Sequence, residues 1–375
     1  MAGLYIHIPF CKKACHYCNF YFSTSMKNKN EIVEALVSEM NLQKNYLSNN
    51  YLNSIYFGGG TPSLLSVEEL KLLFNEINKN FEIDAQAEIT LEANPEDISE
   101  EKLAFYASLG INRLSIGIQS FFDEDLKYMN RSHDAETSKR CLEILKKMNW
   151  KNFSLDLIFG FPLLSNEKWL KNMEWAIESG AKHISTYALT VEPQTALAHL
   201  IETKKALPID AEKAAEQYEL LMKKMKEHDF IHYEISSFAK KDALAVHNSN
   251  YWNEKPYLGI GPSAHSYNGK SRQWNVTNNA LYLKSIEKKT VPFTIEELSE
   301  TQMRNEFIMI KLRLKNGIDK KIFALKVSDK HFDLFEKKCE EYISNGFLIS
   351  SDTHFYLSEK GKLFADKIAS DLFFD

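Results

Sequence analysis

The chain has 375 residues, 44% of them hydrophobic and 26% charged, with only 14 Gly and 9 Pro. That composition excludes disordered, collagen-like and low-complexity classes and leaves enough apolar material for a large core. Its 46 basic and 51 acidic residues give a net charge of −5, which argues against a general binder of nucleic acid or anionic membrane surfaces, since those need net positive patches. No apolar run reaches the ~18 residues of a membrane span. The N-terminus, from Met1 to Pro9, has neither a basic leader nor a small-residue cleavage site, so a cytoplasmic location is expected.

Up to about residue 190, short apolar runs alternate with stretches of helical period. Strands are predicted at 4–8, 54–57, 88–91, 113–118, 153–158 and 183–189. Between them Val33, Leu36, Val37 and Met40 recur at helical spacing, as do Leu70, Leu73, Phe74 and Ile77 behind a capping box that starts at Ser66 and closes on Glu69. Continuous apolar strands separated by helices predict a parallel sheet covered by those helices. Six such βα units without a G-x-G-x-x-G turn after the first strand predict a partial (βα)6 TIM-type barrel in the α/β class rather than a dinucleotide-binding fold. A helix is predicted at 208–227, then a less regular stretch rich in Tyr, Phe, Trp and His at 232–274. Residues 296–375 read as helices with a late strand pair at 347–350 and 355–358, a small winged-helix-like domain. That segment holds 13 Lys and Arg against 15 Asp and Glu, whereas a duplex binder should be clearly basic, so it is read as a packing or lid domain. The expected division is 1–230 for the barrel, 231–294 for a connecting region and 295–375 for the C-terminal domain.

Five cysteines, an odd number with three of them between positions 11 and 18, point to metal or redox chemistry rather than to a disulfide framework. Cys11, Cys15 and Cys18 have C-x3-C-x2-C spacing directly after the first predicted strand, at the rim where a barrel places its chemistry. A 4Fe-4S cluster normally takes four thiolates, so three leave one iron open to another ligand. The alternative is a zinc site completed by His16 or His7, less favoured because structural zinc prefers paired knuckles in closed tetrahedra. Cys141 and Cys339 lie in amphipathic stretches and read as core. The three-cysteine spacing behind Tyr5-Ile6-His7-Ile8-Pro9-Phe10 resembles the radical S-adenosylmethionine (SAM) superfamily. The resemblance implies that the amine and carboxylate of SAM chelate the fourth iron, and that reductive cleavage can yield a 5′-deoxyadenosyl radical.

Gly58-Gly59-Gly60-Thr61-Pro62 follows the second predicted strand, where missing side chains let the backbone approach a ligand. Glu92, Gln119, Arg131 and Asp156 fall at or near the carboxyl ends of later strands or in the next loop. A carboxylate can accept two ribose hydroxyl hydrogen bonds, and an Arg can fork onto the methionyl carboxylate. Resemblance to the coproporphyrinogen oxidase-like branch of the superfamily implies that Tyr5, Tyr17, Gly59, Gly60, Thr61, Glu92, Gln119, Arg131, Asp156 and Ala188 line SAM. Arg113 opens a strand and reads as a surface salt bridge.

That branch holds two functions. Its oxidases continue the cluster motif as Cys-x-Cys and extend upstream of the first strand, whereas here Asn19-Phe20 follows Cys18 and four residues precede Tyr5. HemW-like haem chaperones are marked by His-Asn-x-x-Tyr-Trp, matched by His247-Asn248-Ser249-Asn250-Tyr251-Trp252. There an imidazole can ligate haem iron and two aromatic faces can lie against the macrocycle. The resemblance thus implies a protein that binds haem through His247, carries a 4Fe-4S cluster with SAM, and delivers haem to acceptor haemoproteins. His265, in Gly261-Pro262-Ser263-Ala264-His265-Ser266, either lines the SAM pocket or fills it, and stands with His232 as the next candidate for the iron. The alternative function is an oxygen-independent coproporphyrinogen III oxidase. A winged-helix nucleic-acid binder with a sensing cluster is disfavoured by the charge. Cleavage of SAM, covalent attachment of haem and pairing with a second copy of the chain are left open.

Overall fold

The computed structural model describes residues 1–374. The chain forms two compact units, the first from residues 1–224 and 245–296 and the second from 225–244 and 297–375. The expected connecting region 231–294 is therefore divided, its first part belonging with the C-terminal unit and its remainder with the barrel.

Unit 1 is built on six parallel strands in sequence order, β1 (Ala2–Ile8), β2 (Tyr51–Gly59), β3 (Glu82–Ala93), β4 (Arg113–Gln119), β5 (Phe153–Phe159) and β6 (His183–Ala188). They are joined by α1 (Lys29–Gln43), α2 (Val67–Asn80), α3 (Glu100–Ser108), α4 (Asp123–Tyr128), α5 (Ala135–Lys147) and α6 (Asn166–Glu178). This is the α/β partial barrel predicted from the alternation. The helices start where short polar side chains satisfy backbone N–H groups: Ser66, Ser99, Asp134 and Ser165 cap α2, α3, α5 and α6, each cap contributing ~1 kcal/mol. Behind the Ser66/Glu69 capping box, Leu70, Leu73, Phe74 and Ile77 turn inward and are buried. Along β1, Leu4, Ile6 and Ile8 are wholly buried, and period-two alternation sends Tyr5 and His7 to the opposite face, the lumen.

Arg113 is not at the surface. It is 3% exposed, with Nε 3.8 Å from the Glu88 carboxylate and Nη1 donating to Asn152 Oδ1 at 3.1 Å. The reason is its strand: β4 lies between β3 and β5, so a residue at its first position meets neighbours on both sides.

After β6 come α7 (Ala196–Glu202) and α8 (Ala211–Glu227), then the hairpin β7 (Ile231–Glu234) and β8 (Ser237–Ala239), which groups with unit 2. The chain returns to unit 1 with α9 (Val246–Trp252), β9 (Tyr257–Ile260), β10 (His265–Tyr267), β11 (Ser271–Asn275), α10 (Asn279–Glu287) and β12 (Phe293–Glu297). Strand β9 adds parallel to the free edge of β1, and β10 and β11 follow antiparallel. Much of what reads in sequence as irregular is thus β9, β10 and β11, which with β12 extend the barrel sheet by four strands.

Unit 2 continues with α11 (Glu300–Leu312), β13 (Ile318–Asp319), α12 (Lys320–Ala324), α13 (Asp329–Ser344), β14 (Leu348–Ser350), β15 (His354–Leu357), α14 (Glu359–Lys362) and α15 (Ala365–Asp371). Its small antiparallel sheet has the order β13-β15-β14, the helix and strand succession of a winged helix. Phe307, Phe323, Phe335, Cys339 and Phe355 form its core. The hairpin joins it through backbone bonds from Ile235 N to Arg313 O and from Lys315 N to Tyr233 O. Among the described residues no helix is long and apolar enough to cross a membrane.

Candidate functional site

The cysteine loop leaves β1 and is held at several points. Cys11 N donates to Ser23 O at 3.1 Å, His16 N to Met129 O at 3.1 Å, and Asn130 Nδ2 to Ala14 O at 2.7 Å. The last two bonds tie the loop to the turn after α4, and so bring Arg131 to it: Arg131 Nη1 donates to Cys15 Sγ at 3.4 Å, while Thr61 Oγ1 donates to Cys11 Sγ at 3.5 Å. All three thiols are free and half-buried. Burial raises the Cys11 thiol above its ordinary range and pushes Cys18 up to about 11, so a bound cation is what would favour their thiolate forms. Among the described residues no three His, Cys, Asp or Glu side chains form a ready single-ion site. The ligand reading rests on the spacing and on the donors around the sulfurs rather than on a preformed tetrahedron.

Beside this loop the glycine turn closes β2. Gly59 has φ +106°, and a Cβ there would lie 2.6 Å from the His7 ring; at Gly60 it would lie 2.6 Å from Phe10 O. Neither position accepts a side chain, so the His7 ring and the backbone of Ile8 and Phe10 pack directly on this turn. Glu92, near the end of β3, accepts from the Tyr56 hydroxyl at 2.7 Å, and burial pushes its carboxyl up to about 7. Asp156 on β5 accepts from Ser115 Oγ at 3.1 Å and is pushed up to about 6, again chiefly by burial. Arg131 Nη2 donates to Asn94 Oδ1 at 2.8 Å and to Gly117 O at 2.9 Å. Its Nε is buried without a partner, a costly state for a charged donor unless something anionic or polar completes it. Gln119 ends β4 with φ +65°, and its Nε2 lies 2.7 Å from where a Cβ on Gly117 would be.

The His247 motif lies at the other end of the lumen. The backbone N–H groups of Val246 and His247 donate to the two Glu88 carboxylate oxygens at 2.9 and 2.8 Å. The His247 ring lies against Gly3 and Ser54, in the first halves of β1 and β2, and stacks on Tyr56 at 5.0 Å. Its Nδ1 is 2.9 Å from Ser54 Oγ and its Nε2 is 2.8 Å from the Tyr251 hydroxyl. The residue is 1% exposed, and burial pushes its pKa down to about 3. Helix α9 therefore floors the lumen at the amino ends of the strands, and both imidazole nitrogens are spent on hydroxyl groups. In a barrel of this kind the amino end is the stabilising end and the carboxyl end carries the chemistry.

Residues 5–176 match the radical SAM superfamily, and residues 298–364 match the HemN C-terminal domain. The haem chaperone HemW of Bacillus subtilis is 36% identical over 373 residues, covering 98% of each chain. HemW of Escherichia coli is 30% identical over 382 residues, 98% of this chain and 96% of that one. The chain belongs to the HemW family of radical SAM proteins. A solved structure of coproporphyrinogen III oxidase (HemN) from Escherichia coli, described as a radical SAM enzyme, superposes with a TM-score of 0.85 over 99% of this chain and 89% of that one. At 20% identity that likeness shows a shared fold.

On this HemW-family barrel, Gly59, Gly60, Thr61, Glu92, Gln119 and Arg131 lie at or beyond the carboxyl ends of their strands, with Asp156 midway along β5. Tyr17 is close enough to Arg131 and the cysteines to interact with their charge. Tyr5 points into the lumen, its hydroxyl 3.1 Å from His7 Nδ1 and its ring 6.1 Å from Tyr56. Ala188 is exposed as the last residue of β6. His247 adjoins this group only through aromatic rings, stacking 6.5 Å from Tyr5 and 5.0 Å from Tyr56. Sequence reasoning missed Tyr56, which holds Glu92, and Asn94, which holds Arg131. Asn94 was within reach, two places after Glu92 in the same strand-end segment.

Proposed function

We propose that this chain binds haem and passes it to acceptor haemoproteins, with a 4Fe-4S cluster and SAM at the mouth of its barrel. Similarity to HemW haem chaperones along essentially the whole chain is the observation that carries the haem reading. The mouth supports the cofactors through its own chemistry: three thiols on one loop, glycines that admit no Cβ, and a buried guanidinium with an uncompleted Nε. Cys11, Cys15 and Cys18 would hold the cluster. Arg131 would take the SAM carboxylate, Glu92 the ribose hydroxyls, and the backbone of Gly59 to Thr61 the methionyl amine, with Tyr5, Tyr17, Gln119, Asp156 and Ala188 lining the remainder. When bound, cluster and SAM together supply one-electron reductive chemistry. The protein's part is to hold SAM in one orientation and keep water from it.

The test is anaerobic reconstitution with iron and sulfide, followed by haem titration and, separately, incubation with coproporphyrinogen III, SAM and a reductant. A Soret band that saturates with haem, and no protoporphyrinogen IX, is the expected pair of results. Turnover of coproporphyrinogen III would replace the chaperone reading with the oxidase one.

A further inference from the structure

Strands β10 and β11 carry a row of side chains that the mouth does not use, and strand register decides which they are. Tyr5 of β1 pairs with Gly259 of β9, and Tyr257 of β9 pairs with Tyr267 of β10. Paired residues point to the same side of a sheet, so Tyr267 and His265 project to the lumen side along with Tyr5 and His7. Across the hairpin His265 faces Trp274 and Tyr267 faces Arg272. The intervening Ser266 and Gln273 turn the other way, where Gln273 Nε2 donates to Gln43 of α1 at 2.6 Å. The inner face of the barrel thus runs on past β1 onto β9, β10 and β11, with β12 at the outer edge of the sheet.

The chemistry of this row is specific. The His265 ring is exposed and stacks 6.0 Å from the Trp274 indole at an interplanar angle of 24°. The Arg272 guanidinium lies 4.8 Å over the Tyr267 ring, near enough for its charge to bear on His265. His265 in turn bears electrostatically on His7, whose Nε2 donates to Tyr21 O at 3.0 Å, next in the chain to a 70% exposed Phe20. An accessible imidazole can give a lone pair to iron, an indole can cover a macrocycle, and a guanidinium can pair with a propionate. Other histidines of unit 1 lack one of these features. His7, His133, His183 and His247 are buried, and His16, half-buried with its Nδ1 2.9 Å from Tyr128 O, and His199, exposed on α7, have no ring stacked on them among the described residues.

We infer that haem binds along this row, with His265 as its iron ligand, Trp274 against the macrocycle and Arg272 at a propionate, while His247 shapes the lumen floor without touching iron. The assignment rests on the haem-binding reading above. It makes the HNxxYW motif a positioning element and puts the cargo on the same side of the sheet as the cluster loop.

The experiment titrates the reconstituted full-length protein with ferric haem and follows the Soret band and the electron paramagnetic resonance of the iron. His265→Ala should shift the Soret band and weaken binding by about tenfold or more, and His265→Met should give a third, distinct spectrum. Arg272→Gln should weaken binding of haem but not of haem dimethyl ester, whose propionates carry no charge. All variants should keep the wild-type iron-sulfur absorbance, since none touches the cysteine loop. His247→Gln, where it folds, should leave the Soret position unchanged. If wild type binds haem and His265→Ala is indistinguishable from it in spectrum and affinity, the assignment falls while the chaperone reading stands. If wild type takes up no haem at all, the chaperone reading itself falls.

Discussion

Cys11, Cys15 and Cys18 differ from Cys141 and Cys339 in what surrounds the sulfur. The first three are half-buried with a guanidinium and a hydroxyl donating to two of them, whereas Cys141 and Cys339 are 1% and 0% exposed in apolar cores. Changing any one of Cys11, Cys15 and Cys18 to Ala is expected to abolish the iron-sulfur chromophore after reconstitution, because two thiolates cannot hold a cube that already lacks a fourth protein ligand. Cys141→Ala and Cys339→Ala should retain it, and iron analysis with visible absorbance reads both results. Glu92 makes a pH-dependent prediction. Burial raises its carboxyl from the ordinary 4.5 to about 7, so it opposes folding increasingly as pH rises through that interval. The ionised form, an acceptor only, takes both ribose hydroxyls through stronger, charge-assisted bonds than the acid can make. SAM affinity measured by calorimetry should therefore increase between pH 6 and pH 8 and lose that slope in Glu92→Gln. At pH 8 the substitution should weaken SAM by one to two decades, the effect of losing a charge-assisted bond of ~1.5 to 3 kcal/mol. A flat wild-type profile would separate Glu92 from the ribose.

At the scale of elements, α1 anchors the strand extension through one fully buried carboxylate. Glu39 accepts from Tyr282 Oη and Asn275 Nδ2, both at 2.6 Å, from Gly261 N at 2.8 Å and from Gln43 Nε2 at 2.7 Å. These bonds fasten α10, the end of β11 and the turn after β9 to a single side chain. Glu39→Ala leaves several buried donors without partners, at ~1 to 3 kcal/mol for each one that stays unpaired, and should clearly lower stability, read by urea denaturation. Glu34→Ala, on the exposed side of the same helix, should change stability by less than ~0.5 kcal/mol. Because Asn275 follows Trp274 directly, a folded Glu39 variant should also bind haem more weakly. The same scale bears on the His247 motif: α9 is only seven residues long, and a hexapeptide of His, Asn, Tyr and Trp contains the groups for an iron site and for a hydrogen-bonded aromatic plug alike.

For the whole molecule, the second unit poses the sharpest functional contrast. Its helix and strand succession is that of a winged helix, yet residues 296–375 contain more acidic than basic side chains, and Lys311, Lys320, Lys326 and Lys360 lie over aromatic rings. Affinity for duplex DNA is dominated by phosphate neutralisation. The full-length protein at micromolar concentration should therefore give no mobility shift with a DNA duplex at physiological salt. A salt-sensitive shift would return the nucleic-acid reading to consideration.

Local order along the chain determined everything that the sequence by itself makes legible. Strands β1 to β6 follow from apolar runs and the helices from a period of 3.6 and their caps, since both patterns are properties of neighbouring residues. The cysteine spacing and the glycine turn are legible for the same reason. Tertiary structure alone decided the rest. Ser54 and His247 are 193 residues apart and Glu39 and Tyr282 are 243 apart, so neither pairing leaves a trace in any local window. Arg113 is buried because β3 and β5 flank its strand, and His265 faces the lumen because β9 pairs parallel to β1. A shift of one residue in that register would turn His265 and Trp274 toward α1 and Gln273 toward the lumen. Spacing along the chain therefore determined which chemical groups this protein owns, and pairing across the sheet decided which of them face a common space.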